Sequence, residues 1–173
     1  MAFNVFDFIT DSIEYPERHP VVYMNGRVAS QINDLRNEME KGGEGLSKPR
    51  AAAIRKEIKE LQKALDGSRL TFHVRGYSPA VRESIETEVR ELAEEQGWED
   101  DKTTEEITYR VFAKAIVSVT NADGEKDEKP WTPENVNKFM KAAPNGSLVD
   151  FTNDVIHVTV RAVEFHNSVD VTF

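Results

Sequence analysis

The chain has 173 residues and a formal net charge of −9 at pH 7, and 31% of its residues are charged. This acidity argues against nucleic-acid binding, which requires a basic surface to displace phosphate counterions, and against binding to an anionic membrane surface. The lack of cysteine excludes disulfides and sulfur-ligated metals and suits a reducing cytoplasm, while no stretch approaches the roughly 20 apolar residues of a membrane span.

The first half of the chain predicts a helical hairpin between two strands. A short amphipathic helix over 4–14 comes first, followed by a strand over 21–24. Two helices follow, about 28–41 and a second one capped by Ser47, because apolar residues recur at steps of three and four on both sides of a glycine-rich break. These residues are Val28, Ile32, Leu35 and Met39 before the break and Ala51, Ile54, Ile58, Leu61 and Leu65 after it. The hairpin returns the chain to its start, so 70–74 is expected to pair antiparallel with the first strand.

The second half reads as mostly helical. Ser78 is expected to cap a helix over 79–97, whose glutamate-rich side is interpreted as a solvated face rather than a docking surface. Residues 104–119 fit both a helical stripe and a strand alternation, and a capping-box pattern at their start favours the helix. Thr132 is expected to cap a short helix. The last segment, 148–167, keeps a helical stripe although its β-branched residues favour a strand.

Together these elements predict a mostly helical α+β protein. A two-stranded antiparallel sheet carries the antiparallel helical hairpin, and a C-terminal helical part follows. The expected domains are 1–77, with the N-terminal helix and the strand–hairpin–strand unit, and 78–173, with the C-terminal helices.

The sequence offers no catalytic motif. Its four histidines show no metal-ligand spacing, and the turn at 121–124 lacks the flanking carboxylates of a calcium loop. We therefore expect no enzymatic activity, no metal and no cofactor. The segment to single out is Arg75-Gly76-Tyr77, where a strand passes into a helix. Arg75 and Tyr77, with Phe72 on the preceding strand, are the candidate partner-binding residues. The alternative is an ordinary turn in which the tyrosine is packed against the protein.

The order of elements resembles that of the tail assembly chaperones of long-tailed bacteriophages that infect actinobacteria. The resemblance spans nearly the whole chain and is carried by the acidic-aromatic start at 6–9, the strand-to-helix entry at 20–29, the glycine-broken hairpin, the segment 70–79 and the later Trp-Thr-Pro-Glu motif at 131–134. The final segment is more β-branched than a helix of this family would be.

The resemblance implies a function by protein binding. Such chaperones bind the helical tape-measure protein, keep it soluble and recruit the major tail (tube) protein, and many also exist in a frameshifted longer form. They act in the cytoplasm of the infected host and are absent from the mature virion; self-association stays open. The alternatives are a structural component of the tail tube or head–tail junction, an enzyme, and a regulatory adaptor with a coiled-coil arm.

Overall fold

The computed structural model describes residues 14–161, and these form the mostly helical α+β fold that the sequence predicts. The strands are β1 (Glu17–Arg18), β2 (Val21–Tyr23), β3 (Arg69–Arg75), β4 (Ile116–Thr120) and β5 (Lys126–Asp127). The helices are α1 (Gly26–Gly42), α2 (Lys48–Asp66), α3 (Pro79–Gln96), α4 (Asp100–Ala115), α5 (Pro133–Ala142) and α6 (Asn145–Ile156). The predicted helix over 4–14 falls, except for its last residue, outside the described residues.

The helical hairpin and its two flanking strands are confirmed. Helices α1 and α2 are joined by a short 3-10 turn, Gly43–Gly45. Ser47 caps α2 as predicted, since its Oγ accepts a hydrogen bond from Arg50 N at 3.4 Å. Strands β2 and β3 pair antiparallel, with Val22 opposite Leu70.

The sheet is larger than the predicted pair of strands. Strand β3 pairs with β1 and β2 along one edge and with β4 along the other, and β5 extends the sheet beyond β4. All pairs are antiparallel, and Phe72 lies opposite Val119. The predicted domain boundary after residue 77 therefore falls between two neighbouring strands of one sheet.

Residues 104–119, whose sequence fits both a helix and a strand, form a helix over the first part of this range and a strand over the last part. Helix α4 ends at Ala115 and strand β4 begins at the next residue, so the prediction of one helix through 119 is wrong for the last four residues. The helix also begins earlier than predicted, because Glu99 occupies the cap position. Thr103 lies inside it, with its hydroxyl donating to the Glu99 carbonyl at 3.1 Å.

The other helix boundaries agree closely with the sequence. Ser78 precedes α3, but within the described residues its side chain makes no capping hydrogen bond. Thr132 and Asn135 form a reciprocal capping box at the start of α5. The helix predicted over 148–167 is present as α6 and a following π-helical turn, His157–Arg161, and the remainder lies outside the described part of the chain.

The core lies between the sheet and helices α4, α5 and α6, with Phe72 at its centre. The Phe72 side chain is fully buried, and its ring centroid lies 4.8 Å from that of Phe151, 4.9 Å from Phe139 and 5.5 Å from Trp131. Edge-to-face and tilted contacts of this kind stabilise a core beyond the area that they bury. The core joins residues from both of the predicted domains.

Replacing Phe72 with alanine is expected to lower the free energy of unfolding by about 3–5 kcal/mol, because the cavity left among three aromatic rings cannot collapse fully. Urea denaturation followed by circular dichroism measures the change. The control is Val149→Ala, since Val149 is 58% exposed and should change stability by no more than about 0.5 kcal/mol. Equal effects of the two substitutions would contradict the assignment of Phe72 to the core.

Candidate protein-binding surfaces

The hairpin arm, α1 and α2, packs mainly on itself. Among the described residues its two helices contact each other along their length and the rest of the protein only sparsely. Of the arm residues whose burial the structure describes, Ile32 and Ile54 are the two that are buried. The other residues of the two predicted apolar stripes are half-buried: Val28, Leu35, Met39, Ala51, Ile58, Leu61 and Leu65. Two helices can cover only the line along which they touch, and no third element from residues 14–161 covers the apolar stripe that the arm presents.

The base of the arm is tied to the sheet by a group of hydrogen bonds around Ser68. Met24 N donates to the Ser68 carbonyl at 3.1 Å, and Asn25 N donates to Ser68 Oγ at 3.2 Å. The same hydroxyl donates to the Leu65 carbonyl at 2.7 Å. At Gly26 a Cβ atom would lie 2.8 Å from the Pro144 ring, so only glycine allows this close approach to the start of α6. These contacts fix the direction in which the arm leaves the sheet.

Near its turn the arm is held by a bidentate ion pair. Arg50 donates from Nε and Nη2 to the two carboxylate oxygens of Glu38, at 2.7 and 2.8 Å. Hydrogen bonding from Arg50 holds the pKa of the Glu38 carboxyl below its usual value. The pair is exposed and therefore screened by salt, so its main effect is on the register of the two helices.

A groove of about 480 Å³ lies at the base of the arm. It is lined by both helices and by the sheet, with Ala29 and Ile32 from α1, Gln62 and Leu65 from α2, and Tyr23 from β2. The groove offers aliphatic contacts beside polar groups, a combination suited to a side chain or backbone from another protein.

The structure places the three predicted partner-binding residues in different environments. Phe72 belongs to the core and has no exposed surface, so its predicted contact with a partner is corrected to a structural role. The side chain of Arg75 is 54% exposed, and its Nη1 lies 3.9 Å from Glu17 Oε1. Tyr77 is half-buried, and its hydroxyl donates to the Val111 carbonyl at 3.3 Å. A contact role for Arg75 and Tyr77 stays a prediction.

Arg75 and Tyr77 line a second groove, of about 510 Å³, here called the corner groove. Its other walls come from distant parts of the chain: Ile85 of α3, Arg110 and Lys114 of α4, and Trp131 before α5. Sequence reasoning missed these four residues as members of a site, because no local spacing links them to the strand end at Arg75.

Two further features of the described chain bear on its chemistry. Within residues 14–161, no group of three or more histidine, aspartate or glutamate side chains is placed to hold a metal ion. None of the helices in this range combines the length and apolar character that crossing a membrane requires.

Comparisons with known proteins found no match: no family model fits the sequence, and neither a curated protein nor a solved structure is significantly similar to it.

Gly76→Ala is expected to destabilise the corner by more than about 1 kcal/mol, because the added Cβ would clash with the backbone carbonyl oxygen of Val158. Gly146→Ala is the matched control, since a Cβ there meets nothing within 4 Å. Thermal unfolding of both variants measures the difference. A Gly76→Ala variant as stable as the control would show that the two segments are not packed this closely.

Burial raises the pKa of Tyr77 to about 12, which predicts a loss of stability at high pH. The unfolded chain releases the phenol proton near pH 10, whereas the folded chain releases it only near pH 12. The free energy of unfolding should therefore hold up to about pH 10 and fall as the pH rises towards 12. Tyr77→Phe should make this fall shallower in urea titrations at successive pH values. An unchanged slope in the variant would contradict the shift.

Proposed function

We propose that this protein is a bacteriophage tail assembly chaperone, which acts by binding the tape-measure protein rather than by catalysis. The observation that carries the proposal is the arm, α1 and α2, with its half-buried apolar stripe. The resemblance in element order supplies the identity of the partner.

The shape of the arm suits a helical partner. A tape-measure protein exposes long apolar stripes until tail-tube subunits cover it. A third helix laid along α1 and α2 buries its own stripe and that of the arm together, in the manner of a helix bound in a groove. The groove beside Ala29 and Leu65 gives such a helix a place to start. Binding thus covers two apolar surfaces that would otherwise face water.

The charge of the chain supports the same function. A formal net charge of −9 gives the loaded complex a strong mutual repulsion, which keeps chaperone-bound partners apart in solution. The exposed glutamates of α3 contribute to it, namely Glu83, Glu88, Glu91, Glu94 and Glu95. In the proposed function the protein acts in the cytoplasm of the infected host, delivers the tape measure to the major tail protein and is not retained in the virion.

The test is co-expression of this chain with the tape-measure protein of the same genome, followed by size-exclusion chromatography with light scattering. We expect a soluble complex from a tape measure that precipitates when it is expressed alone. A tape measure that stays insoluble, with this chain forming a closed ring by itself, would instead favour a structural component of the tail tube or head–tail junction. Mass spectrometry of purified particles separates the two functions again, because only a structural component persists there.

Ala29→Glu is expected to reduce recovery of the soluble complex at least about tenfold, because it puts a long charged side chain where Ala29 leaves room for an apolar contact beside Ile32 and Leu65. The matched control is Ala53→Glu, the same substitution at an exposed position of α2. Both variants should keep the circular dichroism spectrum of the unmodified chain. If Ala53→Glu reduced recovery as much as Ala29→Glu, general acidity rather than the groove would be the cause.

A further inference from the structure

We propose that the corner groove is a second binding surface, for an acidic protein segment that carries apolar side chains. The groove is separate from the arm, and the inference does not depend on which protein the arm binds. Three observations support it: buried apolar residues form the floor of the groove, positively charged residues lie around its rim, and hydrogen bonds behind its walls hold them in place.

The floor of the groove is apolar and already fixed. Ile116 and Ala113 are almost fully buried beneath it, and Trp131 is half-buried at its side. The Trp131 ring packs edge-on against Phe72 and Phe139, with centroids 5.5 and 5.7 Å away. A tryptophan held in this way offers its remaining surface to a ligand with little loss of side-chain entropy on binding.

The rim of the groove is positively charged in an acidic protein. Arg75, Arg110 and Lys114 lie around it, against one carboxylate, that of Glu128. Lys114 has no ion-pair partner among residues 14–161, and Arg75 makes only the long contact to Glu17. Glu128 is engaged by Lys126 at 2.5 Å. Two cations are thus available to a ligand.

Arg110 contributes less to this charge, because it is paired with Glu106 at 2.9 Å. The available cations, Arg75 and Lys114, come from different elements, the end of β3 and the last turn of α4. Both line the same groove as the apolar side chains of Ala113 and Ile116, so one ligand can contact the two cations and the apolar floor together. Charge complementarity therefore favours a segment that combines acidic with apolar side chains, and it disfavours basic ones.

The walls of the groove are held by contacts on their far side. The hydroxyl of Tyr77 donates to the Val111 carbonyl, and Gly76 N donates to the Pro16 carbonyl at 2.9 Å. On the opposite wall the Thr132–Asn135 capping box holds the chain next to Trp131. A preformed cavity of this size accepts a short segment without first reorganising the protein.

The experiment is isothermal titration calorimetry of the full chain with two short synthetic peptides. One alternates glutamate with leucine and phenylalanine, and the other carries lysine in place of each glutamate. We expect the acidic peptide to bind at least about tenfold more tightly, with an affinity that falls as salt is raised. In a Trp98→Phe chain, in which Trp131 is the remaining tryptophan, the acidic peptide should also change the fluorescence.

Lys114→Glu is expected to weaken the acidic peptide about tenfold or more, whereas Lys59→Glu, at an exposed position of the arm, should leave binding unchanged. Because neither lysine is in the core, both variants should fold. Equal binding of the two peptides, or no effect of Lys114→Glu, would overturn the proposal. Binding lost only in arm variants would do so as well.

Two other occupants have distinct signatures. If Phe6→Ser with Phe8→Ser in the full chain tightened peptide binding about tenfold, the acidic-aromatic start of the chain itself would be the occupant. If light scattering showed a dimer that the acidic peptide dissociates, the occupant would be a second copy. Either result would overturn the assignment to a separate partner, and neither would affect the co-expression test of the arm.

Discussion

Strand β3 is hydrogen-bonded along both edges, and the rest of the structure is arranged around that pairing. Its first residue, Arg69, follows the base of the arm, and its last residue, Arg75, borders the corner groove. Six residue steps of an extended strand separate these ends by roughly 20 Å. Phe72, in the middle, anchors helices α5 and α6 to the strand through their phenylalanine rings. One well-packed strand therefore sets the distance between the two candidate binding surfaces.

The two surfaces differ in how firmly the rest of the protein holds them in place. The corner groove has a buried floor that is continuous with the core, so it is formed before any ligand arrives. The two helices of the arm pack mainly on each other, and among their described residues two side chains, Ile32 and Ile54, are buried. The half-buried apolar residues of the arm therefore contribute less to its free energy of unfolding than fully buried ones would. Stability is thus expected to be lowest in the arm, away from the sheet. A partner laid along the arm would stabilise it by adding the burial that a second helix cannot provide.

The elements that sequence reasoning predicted well are those set by local patterns. Steps of three and four, a glycine break and a serine cap were enough for the arm. Strand β4 was missed because residues 104–119 satisfy both periods, and pairing with β3, more than 40 residues away, decides between them. The alternation of residues along β3 also does not show which face of the strand packs against the helices. The burial of Phe72 therefore could not be predicted from the sequence. Arg75 and Tyr77 were placed correctly at a strand-to-helix corner, while Trp131 and Lys114 reach it only through the tertiary fold.

A positive rim on an acidic protein is physically consistent because charge acts over a short range in salt. At physiological ionic strength the Debye length is about 8 Å, so a ligand in the corner groove interacts mainly with Arg75, Lys114 and their neighbours. The exposed glutamates of α3 raise the charge that keeps separate molecules apart, and of these Glu88 also lies 3.9 Å from Arg110 at the groove. An acidic segment can therefore be attracted to one corner of a molecule that repels further copies of itself. This separation of local attraction from overall repulsion allows binding at two surfaces without aggregation.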